Sequence, residues 1–140
     1  MARVFLGLGS NLGDGMANLN RALDLIVANV GPLLAVSDFI ESEPWGFASE
    51  HRFTNAVCAV ETGLGSMALL DITQEIERQM GRTHKHAAGE SYTDRIIDID
   101  ILTYDDVTMH NERLTLPHPL IGQRDFVKIP LQDCLNKLSK

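Results

Sequence analysis

The chain has 140 residues, enough for one domain with a real core. Hydrophobic residues make up 44% and charged residues 22%, and no apolar run approaches membrane-spanning length, so disordered and membrane-embedded classes are excluded. The formal net charge is −7 with no basic run, which argues against nucleic acid or an anionic membrane as partner; a small anionic substrate would need locally placed cations.

In chain order, the nearly all-apolar "RVFLGL" (residues 3–8) reads as a first, central strand, followed by the loop "GSNLGDG". Leu19, Leu23, Ile26 and Val30 keep helical spacing, and Gly31-Pro32 ends that helix. "LLAVSDFI" (33–40) and "FTNAVCAVET" (53–62) read as strands separated by the loop "ESEPWGFASEHR". Ser66 is the expected N-cap of a second helix with an inner stripe of Leu69, Ile72, Thr73, Ile76 and Met80, stopped by Gly81. A polar loop, "RTHKHAAGESYTD", leads to the strand "RIIDIDIL", and "RDFVKIPLQDCLNKL" gives a short helix near the end. The order is β-α-β-β-α-β, the ferredoxin-like α+β pattern, in a single domain over residues 1–140.

Of the two cysteines, Cys58 lies in an apolar run and reads as core; no zinc spacing or disulfide framework is visible. The N-terminus reaches its Gly/Asn-rich turn too soon for a signal peptide, and the expectation is a cytoplasmic protein.

"RIIDIDIL" raises the sharpest chemical question. Strand side chains alternate, so Asp98 and Asp100 share one face and Ile97, Ile99 and Ile101 the other. Aspartate is a poor strand former, and two neighbouring carboxylates repel unless water, a cationic partner or a metal offsets them. The pattern fits equally a half-exposed strand with an aspartate face and a pair of oxygen ligands for Mg²⁺, which takes one or two protein carboxylates and fills its shell with water and phosphate oxygens. Arg95 points to the opposite face if the strand is regular there, or belongs to the loop and reaches a phosphate.

Other motifs say less. "GLGSNLGDG" is neither a P-loop nor GxGxxG, and a tight turn is the better reading. Trp45 and Phe47 in "EPWGF" suit either a loop tucked into the core or a platform for a flat ring. The cluster Arg82, His84, Lys85 and His86, leading into two aspartates in an acidic chain, suggests cations for phosphate beside carboxylates for magnesium. No nucleophile–base pair carries a recognisable signature.

Taken together, "GLGSNLGD", "EPWGF", "FTNAV", "IERQMGR", "DRIIDIDIL" and "RLTLPHPLIGQRDF" resemble, in order and spacing over nearly the whole chain, the 6-hydroxymethyl-7,8-dihydropterin pyrophosphokinase family of the folate pathway. The resemblance implies transfer of pyrophosphate from ATP to a pterin alcohol, with AMP released. By position it implies that Asp98 and Asp100 bridge two Mg²⁺ ions arriving with ATP, and that Arg82 and Arg95 contact the phosphates. Gln74, Glu77, His84, Tyr92, Ile101, Arg113, Thr115, His118 and Arg124 match the nucleotide site. Ser42, Glu43, Trp45, Phe53, Asn55 and Phe126 match the pterin pocket, with the two phenylalanines facing the ring and Asn55 offering its amide to the pteridine edge. The chain departs from the family at His84, where a second arginine is common, at Tyr92, at Thr93-Asp94 before Arg95, and at Pro119.

The resemblance thus implies ATP and 6-hydroxymethyl-7,8-dihydropterin as partners of a monomer, with no nucleic acid and no membrane. The loops around Trp45 and His84 are expected to act as lids that exclude water. Two rivals stand beside this reading: a catalytically weak pterin- or nucleotide-binding module on the same fold, and a two-metal phosphohydrolase.

Overall fold

A computed structural model describes residues 1–42, 52–81, 96–119 and 121–139. Its elements are β1 (Ala2–Ser10), α1 (Gly15–Asn29), β2 (Leu33–Val36), β3 (Ile40–Ser42), β4 (Phe53–Thr62), α2 (Ser66–Gln79), β5 (Asp98–Tyr104), the short strands β6 (Met109–His110) and β7 (Thr115–Leu116), and α3 (Asp125–Leu138). The main sheet runs β2-β4-β1-β5, with β3 also paired to β4, and every pairing is antiparallel. With β2 and β3 taken as one interrupted strand, this is the expected β-α-β-β-α-β α+β fold.

Alternation along the strands explains the layers. Val4, Leu6 and Leu8 of β1, Ala56, Cys58 and Val60 of β4, and Ile97, Ile99 and Ile101 at β5 join one cluster with the inner stripes of α1 and α2. Phe5, Val57, Ala59 and Leu102 face the other way and pack with Val127 and Cys134 of α3. The helical spacing of Leu19, Leu23 and Ile26 on α1, and of Leu69, Thr73 and Ile76 on α2, is what buries those faces.

Several local expectations need correction. The first strand continues through Ser10, so Gly7 and Gly9 belong to the sheet rather than to a turn. The expected strand over 33–40 is broken at Ser37, which donates its N–H to Val57 O at 2.9 Å while its Oγ accepts the Val57 N–H at 2.9 Å. A side-chain oxygen has taken the place of a ladder carbonyl, and the strand restarts at Ile40. Ser66 is the first residue of α2, not its cap; Gly65 holds the cap position, because Thr62 Oγ1 accepts the Leu64 N–H at 3.1 Å and sets the turn one residue earlier.

The two glycine stops hold as expected. A Cβ at Gly31 would overlap the Glu61 carbonyl, and Gly81 takes φ +103°, open mainly to glycine. The terminal helix is a full 14 residues, with Pro130 inside it. Its end is fastened by Lys137 Nζ, 3.1 Å from Val36 O and 2.9 Å from Asp38 Oδ1, and Asp38 raises the Lys137 pKa by accepting that bond. Among the described residues no helix is long and apolar enough to cross a membrane.

Candidate active site on the α3 face of the sheet

Ile99 and Ile101 anchor β5 in the core beneath α1 and α2, which turns Asp98 and Asp100 to the opposite face, where both are half-buried. The sheet register decides what they meet. Asp98 pairs with Gly9 and Asp100 with Gly7 on β1, and beyond them Gly9 pairs with Asn55 and Gly7 with Val57 on β4. Paired residues in an antiparallel sheet share a face. Two glycines therefore separate the carboxylates from the β4 side chains and leave a trough about 10 Å across, two strand spacings wide. A Cβ at Gly9 would stand 3.3 Å from Asn55 Oδ1 and 3.5 Å from Phe53 Cδ1, in the floor of that trough.

The trough is part of a pocket open to solvent. Phe53 and Asn55 line it from β4, Asp98 and Asp100 from β5, and Arg124 and Phe126 from the start of α3. Asn55 is 3% exposed, and its Nδ2 donates to Ser42 Oγ at 2.7 Å, which turns Oδ1 toward the trough. The Arg124 guanidinium carbon lies 5.5 Å from the Phe126 ring centroid, within cation–π range, and the residue is 7% exposed. Its charge is therefore kept in the same pocket as the two carboxylates.

A second group lies along the outer edge of β5. Arg113, on the turn between β6 and β7, donates from Nη2 to Asp71 Oδ1 at 2.6 Å and to Gln74 Oε1 at 3.2 Å, both on α2. Thr115 Oγ1 is 3.1 Å from His110 Nδ1, and the His118 N–H donates to Leu102 O at 2.8 Å, which ties this segment to β5. Glu77 Oε2 accepts the Ile99 N–H at 2.8 Å. The Ile101 side chain is packed in the core.

The residues expected from sequence thus fall into two sets. Ser42, Phe53, Asn55 and Phe126 gather at the trough with both aspartates. Gln74, Glu77, Ile101, Arg113, Thr115 and His118 gather around the outer side of β5. Arg124, expected with the nucleotide set, stands beside Phe126 in the trough. Glu43, Trp45, Arg82, His84, Tyr92 and Arg95 lie outside the described residues, as do the two expected lids. Sequence reasoning missed Gly7 and Gly9. Their signal was the period of two in "GLG", which mirrors the period of two in "DID" on the neighbouring strand.

The donor set fits magnesium. Among the described residues no group of three or more His, Cys, Asp or Glu could hold a metal. Two carboxylates on one open face suit an ion that keeps water and phosphate oxygens in its shell, rather than one caged by protein.

A family model described as 7,8-dihydro-6-hydroxymethylpterin-pyrophosphokinase (HPPK) matches residues 5–136. A 2-amino-4-hydroxy-6-hydroxymethyldihydropteridine pyrophosphokinase from Porphyromonas gingivalis is 51% identical over 134 residues, covering 95% of this chain and 90% of that protein. A protein of the same name from Methylorubrum extorquens is 38% identical over 134 residues, covering 95% and 82%. Among solved structures, a triple mutant of Plasmodium falciparum HPPK-DHPS with STZ-DHP superposes with a TM-score of 0.76 at 16% identity. That likeness speaks for the fold; it covers 97% of this chain, which spans 40% of the length of that one.

Proposed function

The chain belongs to the 7,8-dihydro-6-hydroxymethylpterin-pyrophosphokinase family, and from that premise we infer that its pocket transfers pyrophosphate from ATP to the hydroxymethyl group of 6-hydroxymethyl-7,8-dihydropterin, releasing AMP, in folate biosynthesis. The observation that carries the reading is the shared pocket: two carboxylates on one side of a bare glycine floor, and two phenylalanines with an oriented amide on the other.

The pterin ring lies in the trough against Phe53 and Phe126. Its ring N–H groups donate to Asn55 Oδ1, which Ser42 holds by taking the amide's Nδ2 donor. The hydroxymethyl arm then points toward Asp98 and Asp100. The nucleotide lies along the outer side of β5, its base and ribose near Gln74, Thr115, His118 and the Ile101 main chain, and its phosphates reach the aspartates from that side. Arg113 lends positive charge there, and Arg82 and Arg95 complete the phosphate contacts.

Two Mg²⁺ ions held by Asp98, Asp100 and phosphate oxygens would neutralise the charge that builds on the transferred group. The pterin oxygen forms a bond to the β-phosphorus, the bond from that phosphorus to the α,β-bridging oxygen breaks, AMP leaves, and the hydroxyl proton passes to solvent. Such chemistry depends mainly on positioning and charge stabilisation, so a strong general base is not required. We read residues 1–140 as one such domain, acting as a monomer in the cytoplasm.

Incubating the protein with Mg-ATP and the pterin should yield AMP and pterin diphosphate in equal amounts. Neither rival, the weak binding module nor the phosphohydrolase, is favoured by the family match. Binding without AMP formation would restore the first, and phosphate release without pterin the second.

A further inference from the structure

Alone among the described acids, Glu77 is buried: it is 2% exposed, on the inner face of α2 beside Thr73 and Ile76. Its Oε2 accepts the main-chain N–H of Ile99 at 2.8 Å. Ile99 is the residue between Asp98 and Asp100. Among the described strands of the sheet β5 stands at one end, next to β1. The outer main-chain groups of an end strand need partners from outside the ladder, and Glu77 is one of these for β5. This strand also carries two aspartates, a residue type that is a poor strand former.

We propose that Glu77 is a positioning residue for the carboxylate pair. By holding the Ile99 amide it fixes the backbone between the two aspartates, so that both stay on the trough face in the register set by Gly7 and Gly9. A charged acceptor makes this bond stronger than a neutral one, and burial removes competing water. The same burial turns the side chain away from the nucleotide-lining role that its position in the sequence implies. Burying a carboxylate in a core is unfavourable, and an apolar residue would pack α2 more readily. The Ile99 amide is a group that this buried carboxylate serves. The inference rests on Asp98 and Asp100 being the metal ligands.

The test uses Glu77→Gln, Glu77→Leu and, as reference, Asp98→Ala. Three quantities are measured: the Mg²⁺ concentration needed for half-maximal binding of a non-hydrolysable ATP analogue, the affinity for AMP without metal, and hydrogen exchange at the Ile99 amide. Glu77→Leu should raise the Mg²⁺ requirement about tenfold to a hundredfold, the range for residues that orient metal ligands. Its Ile99 amide should exchange faster, with AMP affinity kept within about twofold. Glu77→Gln should behave like the unaltered protein in all three, since its amide oxygen can accept the same N–H.

Weaker AMP binding in both variants would make Glu77 a nucleotide contact and overturn the proposal. An unchanged Mg²⁺ requirement in Glu77→Leu, with Asp98→Ala still shifted, would overturn it while leaving the metal site standing. An unshifted Asp98→Ala would remove the metal site and this inference with it. If Glu77→Leu does not fold, Glu77→Asp decides: its carboxylate is one methylene too short for the Ile99 N–H, so a raised Mg²⁺ requirement with faster exchange at that amide supports the proposal, and an unchanged requirement overturns it.

Discussion

At the scale of single residues, the aspartates and glycines explain one another. Gly7 and Gly9 are poor strand residues and Asp98 and Asp100 are little better, yet they occupy paired positions on neighbouring strands. The trough exists because both strands give up side-chain bulk or apolarity at the same register. Asp98→Asn and Asp100→Asn each keep the shape and remove a charge that a hard cation needs. Metal stabilisation of phosphoryl charge is worth several kcal/mol, so turnover should fall by about a thousandfold or more. Because each substitution keeps the size of the side chain, the protein should still unfold in one cooperative transition. Steady-state rates beside a thermal melt measure both. Activity within a few-fold of normal in either variant would refute the metal assignment.

At the scale of elements, what could be read from sequence depended on whether the governing contacts were local. The strand 53–62 and the inner stripes of α1 and α2 follow from periodicity, and the structure has them where that periodicity puts them. The break at Ser37 is set by Val57, twenty positions away, and no local pattern foretells it. The trough was half legible. The carboxylates announce themselves by spacing, but that Gly9 faces Asp98 and Asn55 together is a fact of register. That the residues expected for the nucleotide and those expected for the pterin lie on two sides of β5 could be seen only with that strand placed at the end of the described sheet.

The start of α3 shows how an element can serve two purposes. Val127 and Cys134 anchor the helix on the sheet, while Phe126 and Arg124 wall the pocket. Phe126→Ala should therefore spare the helix and injure the pocket. Loss of a ring contact and its buried area is worth about 1–3 kcal/mol, to be seen as weaker pterin binding with ATP binding little changed. Calorimetric titration of each ligand separates the cases. Equal weakening of both would show that α3 had shifted or that the pterin lies elsewhere.

At the scale of the whole molecule, the sheet divides two cores of unequal size, and one cysteine reports on each. Cys58 lies in the large core under α1 and α2, Cys134 in the small one under α3. Standing on opposite faces, they are not placed to pair, and both are free. Burial pushes both thiol pKa values up, so near pH 8 each is held as the unreactive thiol, the thiolate being the nucleophile. Both should resist a thiol reagent in the folded protein and react when it unfolds. The small core has less apolar area to lose, so α3 should open at a lower free energy than the rest. Single-cysteine variants, Cys58→Ser and Cys134→Ser, make the two openings separately measurable at sub-denaturing urea. The thiol at 134 should react first. If pterin binds against Phe126 as proposed, it stabilises only the docked form of α3, so it should slow labelling at 134 by a factor that grows with ligand concentration, and slow 58 much less below the global transition. Equal rates at the two thiols, with equal slowing by pterin, would mean that the two cores open together and that α3 is no separate unit.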